Sequence, residues 1–238
     1  MNFNEKIILV TGGTGGLGRE VTMAFLEAGA TVVVTYRVAE EFASLIAAAE
    51  KIGATKPIGV NVDVTDAQAV EKLIAGIVAD HGRLDILVNT VGGYAGGTSL
   101  WESDTRTYEK MLSLNVAAGF VLARAVVPQM IKQNRGWIVN IASKAAIDHA
   151  AGGSLYAASK AAALAMMDSL AADVKPFNIN VNSILPSIID TAANRAAMPK
   201  ADFSKWPKPE EIARVVLFLC TEDARVIHGA AIPVYGRS

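Results

Sequence analysis

Tyr156 and Lys160 stand four residues apart in the stretch Leu155-Tyr156-Ala157-Ala158-Ser159-Lys160. On a helix, that spacing stacks both side chains on one face. A cationic amine beside a phenol stabilises the phenolate and lowers the phenol's pKa from its free value of about 10. A phenol tuned in that way exchanges a proton near neutral pH. Ser143 adds a hydroxyl thirteen positions before the tyrosine. Near the N-terminus, residues 11–18 read Thr-Gly-Gly-Thr-Gly-Gly-Leu-Gly, a loop able to cradle a diphosphate. Together these groups point to hydride transfer to or from a carbonyl, with Tyr156 as acid or base.

The elements that must position them follow from the apolar pattern. Short, often β-branched runs at 7–10, 31–35, 57–62, 86–89, 136–142, 179–185 and 231–234 predict strands. Longer amphipathic runs at 17–28, 39–52, 66–81, 103–130, 155–174 and 209–220 predict helices. Asp66 and Pro209 mark helix starts, and Gly29, Gly53 and Gly82 mark stops. Strands alternating with helices imply a parallel sheet covered on both faces. Residues 186–208 break the rhythm. They form a long connection holding Met198, Phe203 and Trp206, and a loop of that length in a compact domain is expected to be functional, here a substrate lid.

Composition excludes several classes. With 238 residues, 52% of them hydrophobic, the chain suits one large α/β domain spanning 1–238. Lys+Arg are 22 against Asp+Glu 23, so no basic excess points to nucleic acid or an anionic membrane. No uninterrupted apolar run is long enough to span a bilayer. Residues 1–6 lead into an apolar strand without a basic region and a long apolar segment, so a cytoplasmic protein is expected. Cys220 has no second cysteine to pair with. His81, His149 and His228 are widely spaced, with no metal-ligand pattern, so no metal is expected. Neither a G-x-S-x-G elbow nor a Walker lysine is present.

The glycine spacing is T-G-x-x-x-G-x-G, following a predicted strand and opening a predicted helix. It resembles the short-chain dehydrogenase/reductase family, and the resemblance runs along the whole chain. Asp63-Val64 matches the family's adenine-contacting pair. Asn89-Thr90-Val91-Gly92 stands where the family reads Asn-Asn-Ala-Gly, with two of four positions departing. Asn115, Ser143, Tyr156 and Lys160 match the family's catalytic set. Pro186 begins a variant of the Pro-Gly motif with Ser187 in place of glycine, and Ile189 and Thr191 fall where the family holds the nicotinamide carboxamide. The resemblance implies a Rossmann-like, doubly wound domain with a seven-stranded parallel sheet. It implies cofactor contacts from Gly12, Thr14, Gly16, Leu17, Gly18, Asp63, Val64, Asn89, Gly92, Tyr156, Lys160, Pro186, Ile189 and Thr191. It further implies that Tyr156 protonates the carbonyl oxygen, Lys160 holds the ribose hydroxyls, Ser143 donates to the developing alkoxide, and Asn115 anchors a relay water. Members are commonly homotetramers, with the helices around 103–130 and 155–174 at one interface; a dimer is the other expectation.

The acid that pairs with a ribose diol usually ends the second strand. Tyr36 occupies that position and Arg37 follows it, so a 2′-phosphate meets no carboxylate there and a guanidinium is at hand. NADP(H) is therefore expected over NAD(H). Tyr94, Asp148, Met198 and Trp206 are the candidate substrate contacts. The Gly92–Gly97 segment and the 185–206 loop also resemble the quinonoid dihydropteridine reductase branch. That branch lacks the serine and reads an acidic residue for NADH, whereas this chain has Ser143 and Tyr36-Arg37. The substrate is thus expected to be a small carbonyl or alcohol, with a dihydropteridine-reductase-like enzyme as the alternative. A non-catalytic dinucleotide sensor is the alternative from another class.

Overall fold

The apolar runs pair as strands in the computed structural model of residues 1–238, where the five inner runs bury both of their faces and the two edge runs stay partly exposed. In chain order the strands are β1 Ile7–Thr11, β2 Thr31–Tyr36, β3 Ile58–Asn61, β4 Ile86–Asn89, β5 Gly136–Ile141, β6 Ile179–Pro186 and β7 Ala231–Val234. All pairings are parallel, in the order β3-β2-β1-β4-β5-β6-β7. The helices are α1 Gly16–Glu27, α2 Ala39–Lys51, α3 Ala67–His81, α4 Thr105–Leu112, α5 Ala118–Gln133, α6 Ser154–Val174, α7 Ala192–Ala197 and α8 Pro209–Leu219.

Alternation along β1 shows why the strands are apolar throughout. Ile8 and Val10 join one core with Val21 and Phe25 of α1, Leu45 of α2, and Ile212 and Val216 of α8. Ile7 and Leu9 join the opposite core with Leu73 and Ile77 of α3, Leu122 and Val126 of α5, and Met167 of α6. Each fully buried side chain of this size contributes about 1.5–3 kcal/mol relative to exposure, so a polar residue on either face would be costly. Strand order reverses between β1 and β4, which opens a crevice at their C-terminal ends.

Local signals set the boundaries. The Asp66 carboxylate accepts from the N–H groups of Gln68 and Ala69 and starts α3, and Gly82 ends that helix with φ +74°. The helix expected over 103–130 is not a single α-helix. It begins at Thr105 under an Asp104 cap, widens into a π-turn at Ser113–Ala117, and runs on through Pro128 to Gln133. The π-turn carries Asn115, which is buried. The composite helix Thr105–Gln133 contains an 18-residue window with a mean hydropathy of 1.6, long and apolar enough to cross a bilayer by length and composition. Its Ala118, Leu122, Val126 and Met130 instead pack into the core.

The 186–208 connection is also more ordered than a loop. It contains α7, capped by the Thr191 hydroxyl accepting from Asn194 N–H at 3.2 Å, and a 3₁₀ turn at Phe203–Lys205.

Candidate active site

At the crevice, the β1–α1 turn is shaped by backbone demands. Gly12 has φ +67°, a conformation that L side chains rarely adopt. Its N–H donates to Thr35 Oγ1 at 3.0 Å, and Gly13 N–H donates to Thr35 O at 3.1 Å. Gly18 packs so tightly that a Cβ there would collide with Gly12 O. The N-cap of α1 is Gly15, which offers no side-chain acceptor, so the first-turn N–H groups stay available to an anion. The turn forms one wall of a cleft of about 280 Å³. Bare glycine backbone, free helix N–H groups and flanking polar side chains fit a dinucleotide.

Of the expected cofactor residues, Gly12, Thr14, Arg37, Asp63, Val64 and Gly92 line this cleft. Leu17 and Gly18 are buried beneath it in α1. Asn89 does not face it. The side chain is 5% exposed: Oδ1 accepts from Thr11 Oγ1 at 2.9 Å and Nδ2 donates to Asn140 Oδ1 at 3.0 Å. Asn89 therefore ties together the ends of β1, β4 and β5, and its place is that of a brace. Pro186 is buried at the end of β6, and Ile189 is half-buried beyond it. Thr191 lies across the turn from Gly16, where a Cβ would come within 3.0 Å of Thr191 Cγ2.

The four expected catalytic side chains converge on the far side of Gly92. A Cβ on Gly92 would stand 2.9 Å from Asn115 Oδ1 and 3.0 Å from Lys160 Nζ. Tyr156 and Lys160 share one face of α6. Lys160 is buried, and its Nζ donates to Ile141 O at 3.1 Å and lies 6.0 Å from the Tyr156 ring centroid. Ser143 ends β5's extension: its hydroxyl caps a short 3₁₀ turn by accepting from Ala145 N–H at 3.2 Å, and it acts on the Tyr156 phenol in the sense that favours the phenolate. The Asn115 amide bonds Gly93 twice, accepting from its N–H at 2.9 Å and donating to its carbonyl at 3.0 Å; Nδ2 also lies 2.9 Å from Ser159 Oγ.

Electrostatics here differ from the simple pairing of amine and phenol. Burial pushes the Tyr156 phenol above its usual value; the Ser143 hydrogen bond opposes that and Tyr94 reinforces it. Lys160 is not among the groups that move the phenol here, and its amine donates to Ile141 O. Burial in turn lowers Lys160 from 10.5 to about 8.

The candidate substrate residues divide. Tyr94 is exposed and meets Tyr156 edge-on with ring centroids 5.0 Å apart. Asp148 is exposed and paired with Lys144 at 3.4 Å. Met198 is half-buried beyond α7. In this part of the connection Trp206 is 7% exposed and packs on Phe203. Two backbone bonds anchor it, Asp190 N–H to Pro207 O at 3.0 Å and Arg237 N–H to Lys205 O at 2.8 Å.

Sequence reasoning missed Thr35 and Glu41 as site residues, both of which line the dinucleotide cleft. Thr35 was hidden as an ordinary strand residue. Glu41 lies past β2 in the first turn of α2, where an acid reads as a helix-dipole partner.

Known proteins agree with this geometry. The family model described as short chain dehydrogenase matches residues 6–202. The chain is 32% identical over 245 residues to a 3-oxoacyl-(acyl-carrier-protein) reductase of Thermotoga maritima, covering 99% of this chain and 98% of that protein. Among solved structures, NAD+-bound xylitol dehydrogenase superposes with a TM-score of 0.91 at 27% identity, covering 99% of this chain and 100% of that one. ElxO with NADP bound superposes with a TM-score of 0.89 at 27% identity, covering 97% of each chain.

Proposed function

Because the chain belongs to the short-chain dehydrogenase family of oxidoreductases, which act on CH–OH and C=O groups, we propose that it reduces a small carbonyl compound with NADP(H), or oxidises the corresponding alcohol. The observation that carries the reading is the position of Gly92. It lines the dinucleotide cleft, and a Cβ on it would stand 2.9 Å from Asn115 Oδ1 and 3.0 Å from Lys160 Nζ, which supports a cleft that leads to the phenol–amine group. The nicotinamide supplies the hydride chemistry.

The chain's own groups do the rest. Tyr156 gives its proton to the carbonyl oxygen, and the reverse direction returns it. Ser143 donates to oxygen charge as it develops. Lys160 provides a buried donor between the phenol and the cleft, suited to ribose hydroxyls. Asn115 holds the Gly93 backbone, and with it the loop that forms the cleft's inner edge.

Arg37 supports NADP(H). It ends the β2 wall of the cleft, where no carboxylate follows the strand directly. In the 186–208 connection only the part before Trp206 can act as a lid. An open apolar groove between α5 and α6, with Phe120 half exposed beside Val127, Met166 and Leu170, favours a homotetramer or dimer in the cytoplasm; sedimentation tests the assembly.

Turnover decides the function. A panel of ketones, 3-oxoacyl esters, quinones and quinonoid dihydropterin, run with both cofactors, should show reduction of at least one carbonyl class. Saturating cofactor binding with no turnover on any of them would replace the enzyme reading with a dinucleotide sensor. Turnover of the dihydropterin alone would favour the pteridine reading.

A further inference from the structure

The cleft holds a carboxylate at the rim where a 2′-substituent would lie, and it comes from an unexpected element. Glu41 Oε2 accepts from Thr14 Oγ1 at 2.8 Å, which joins the first turn of α2 to the glycine loop. Glu41, Thr14, Tyr36 and Arg37 all line the same cleft.

The placement of Glu41 is built in. The Tyr36 ring, at the end of β2, stacks on the Phe42 ring with centroids 4.6 Å apart and planes 2° from parallel. The Phe42 ring lies over Gly59 of β3, where any Cβ would run into it. The start of α2 is thereby clamped to the sheet edge, with Glu41 turned toward Thr14.

We propose that Glu41 is a cofactor-selectivity residue: it binds the ribose diol of NAD(H) and opposes the 2′-phosphate of NADP(H). A diol acceptor at this end of the cleft normally comes from the strand itself, and Tyr36 cannot serve. Glu41 supplies that acceptor from the next helix. The ionisable groups lining the cleft are then one guanidinium, Arg37, and two carboxylates, Glu41 and Asp63, together with the Tyr36 phenol. A phosphate monoester carrying nearly two negative charges gains from Arg37 and is repelled by Glu41. Glu41 therefore limits the preference that Arg37 creates, and the wild-type protein accepts both cofactors.

This inference rests on the proposed dinucleotide site, and equilibrium binding tests it separately from turnover. Glu41→Gln keeps an acceptor for Thr14 and removes the charge; Glu41→Lys reverses the charge. Titration calorimetry with NAD+, NADP+, 5′-AMP and adenosine 2′,5′-bisphosphate should show the ratio of 2′-phosphorylated to plain ligand affinity rising from wild type to E41Q to E41K. The first step should be about tenfold, the scale of one charge-assisted contact. Because Glu41 is exposed, E41Q should leave the melting temperature of the free protein nearly unchanged, and E41K, which sets a cation in the first turn of α2, should lower it slightly. A ratio that stays constant across the series, or both ligands weakening in parallel, would overturn the selectivity role and leave Glu41 as a support for the glycine loop. A wild-type preference for NADH would instead count against NADP(H) as the main cofactor and leave the Glu41 series intact.

Discussion

Arg37, just past the end of β2, reaches Asp63, just past the end of β3, with Nη1 to Oδ2 at 2.5 Å. Both side chains are largely exposed, and a pair of that kind contributes at most about 1 kcal/mol. Asp63 does not depend on it. Its carboxyl is held below the usual range first by the Thr65 backbone N–H and then by the Thr65 hydroxyl, with Arg37 contributing less. The guanidinium can therefore leave Asp63 for a phosphate at small cost, and Asp63 keeps its own partners.

Arg37→Asp should reverse the cofactor preference. It removes a bidentate phosphate ligand and sets a new carboxylate beside Asp63 and Glu41. The ratio of kcat/KM for NADPH over NADH should fall by at least about tenfold, one charged contact's worth. An unchanged ratio in steady-state assays would remove Arg37 from cofactor selection.

Tyr156→Phe should bind cofactor normally and lose turnover. A positioned acid contributes about 10²–10⁴-fold, so kcat with a ketone should drop by at least that range. The ring remains to pack against Tyr94, so folding should be unaffected. Near-wild-type turnover would mean that another group donates the proton.

Lys160→Met should stabilise the cofactor-free protein at neutral pH while abolishing activity. Burial lowers the folded-state pKa of Lys160 from 10.5 to about 8, so below pH 8 the fold carries the full cost of a buried charge. That cost is relieved as pH rises from about 8 to 10.5, where the unfolded chain still binds the proton that the folded chain has released. A shift of this size corresponds to about 3 kcal/mol, partly offset in the variant because Ile141 O loses a donor. Urea unfolding should show the variant ahead by about 1–3 kcal/mol at pH 7, with the gap closing by pH 10. A pH-independent gap would show that the amine is not strained by burial.

Hydrogen exchange should divide the 186–208 connection. Backbone around Trp206 and Pro207 should be protected with or without NADPH, because those residues are buried and bonded to Asp190 and the C-terminal tail. Residues 192–202 should gain protection only with cofactor, since none of α7 is buried. Equal protection throughout in both states would make the whole segment a fixed wall.

The sequence alone determined the layered fold. Apolar runs that alternate with amphipathic ones admit few arrangements other than a parallel sheet with helices on both faces, and the β4 and β7 boundaries, 86–89 and 231–234, match the structure. It also determined the reacting set, because Tyr156 and Lys160 are neighbours on one helix and helical spacing alone brings them together. Contacts between distant segments required the tertiary structure. Asn89 faces two other strands and braces them; Lys205, beside Trp206, meets the C-terminal tail through Arg237 N–H. The electrostatic balance could not be read from spacing either. How far Lys160 and Tyr156 shift depends on how much water the fold removes from each and on which way the amine turns. Glu41 shows the same limit. Nothing in its neighbours along the chain marks it; a stacked pair of rings, Tyr36 on Phe42, brings its carboxylate to Thr14 across the cleft.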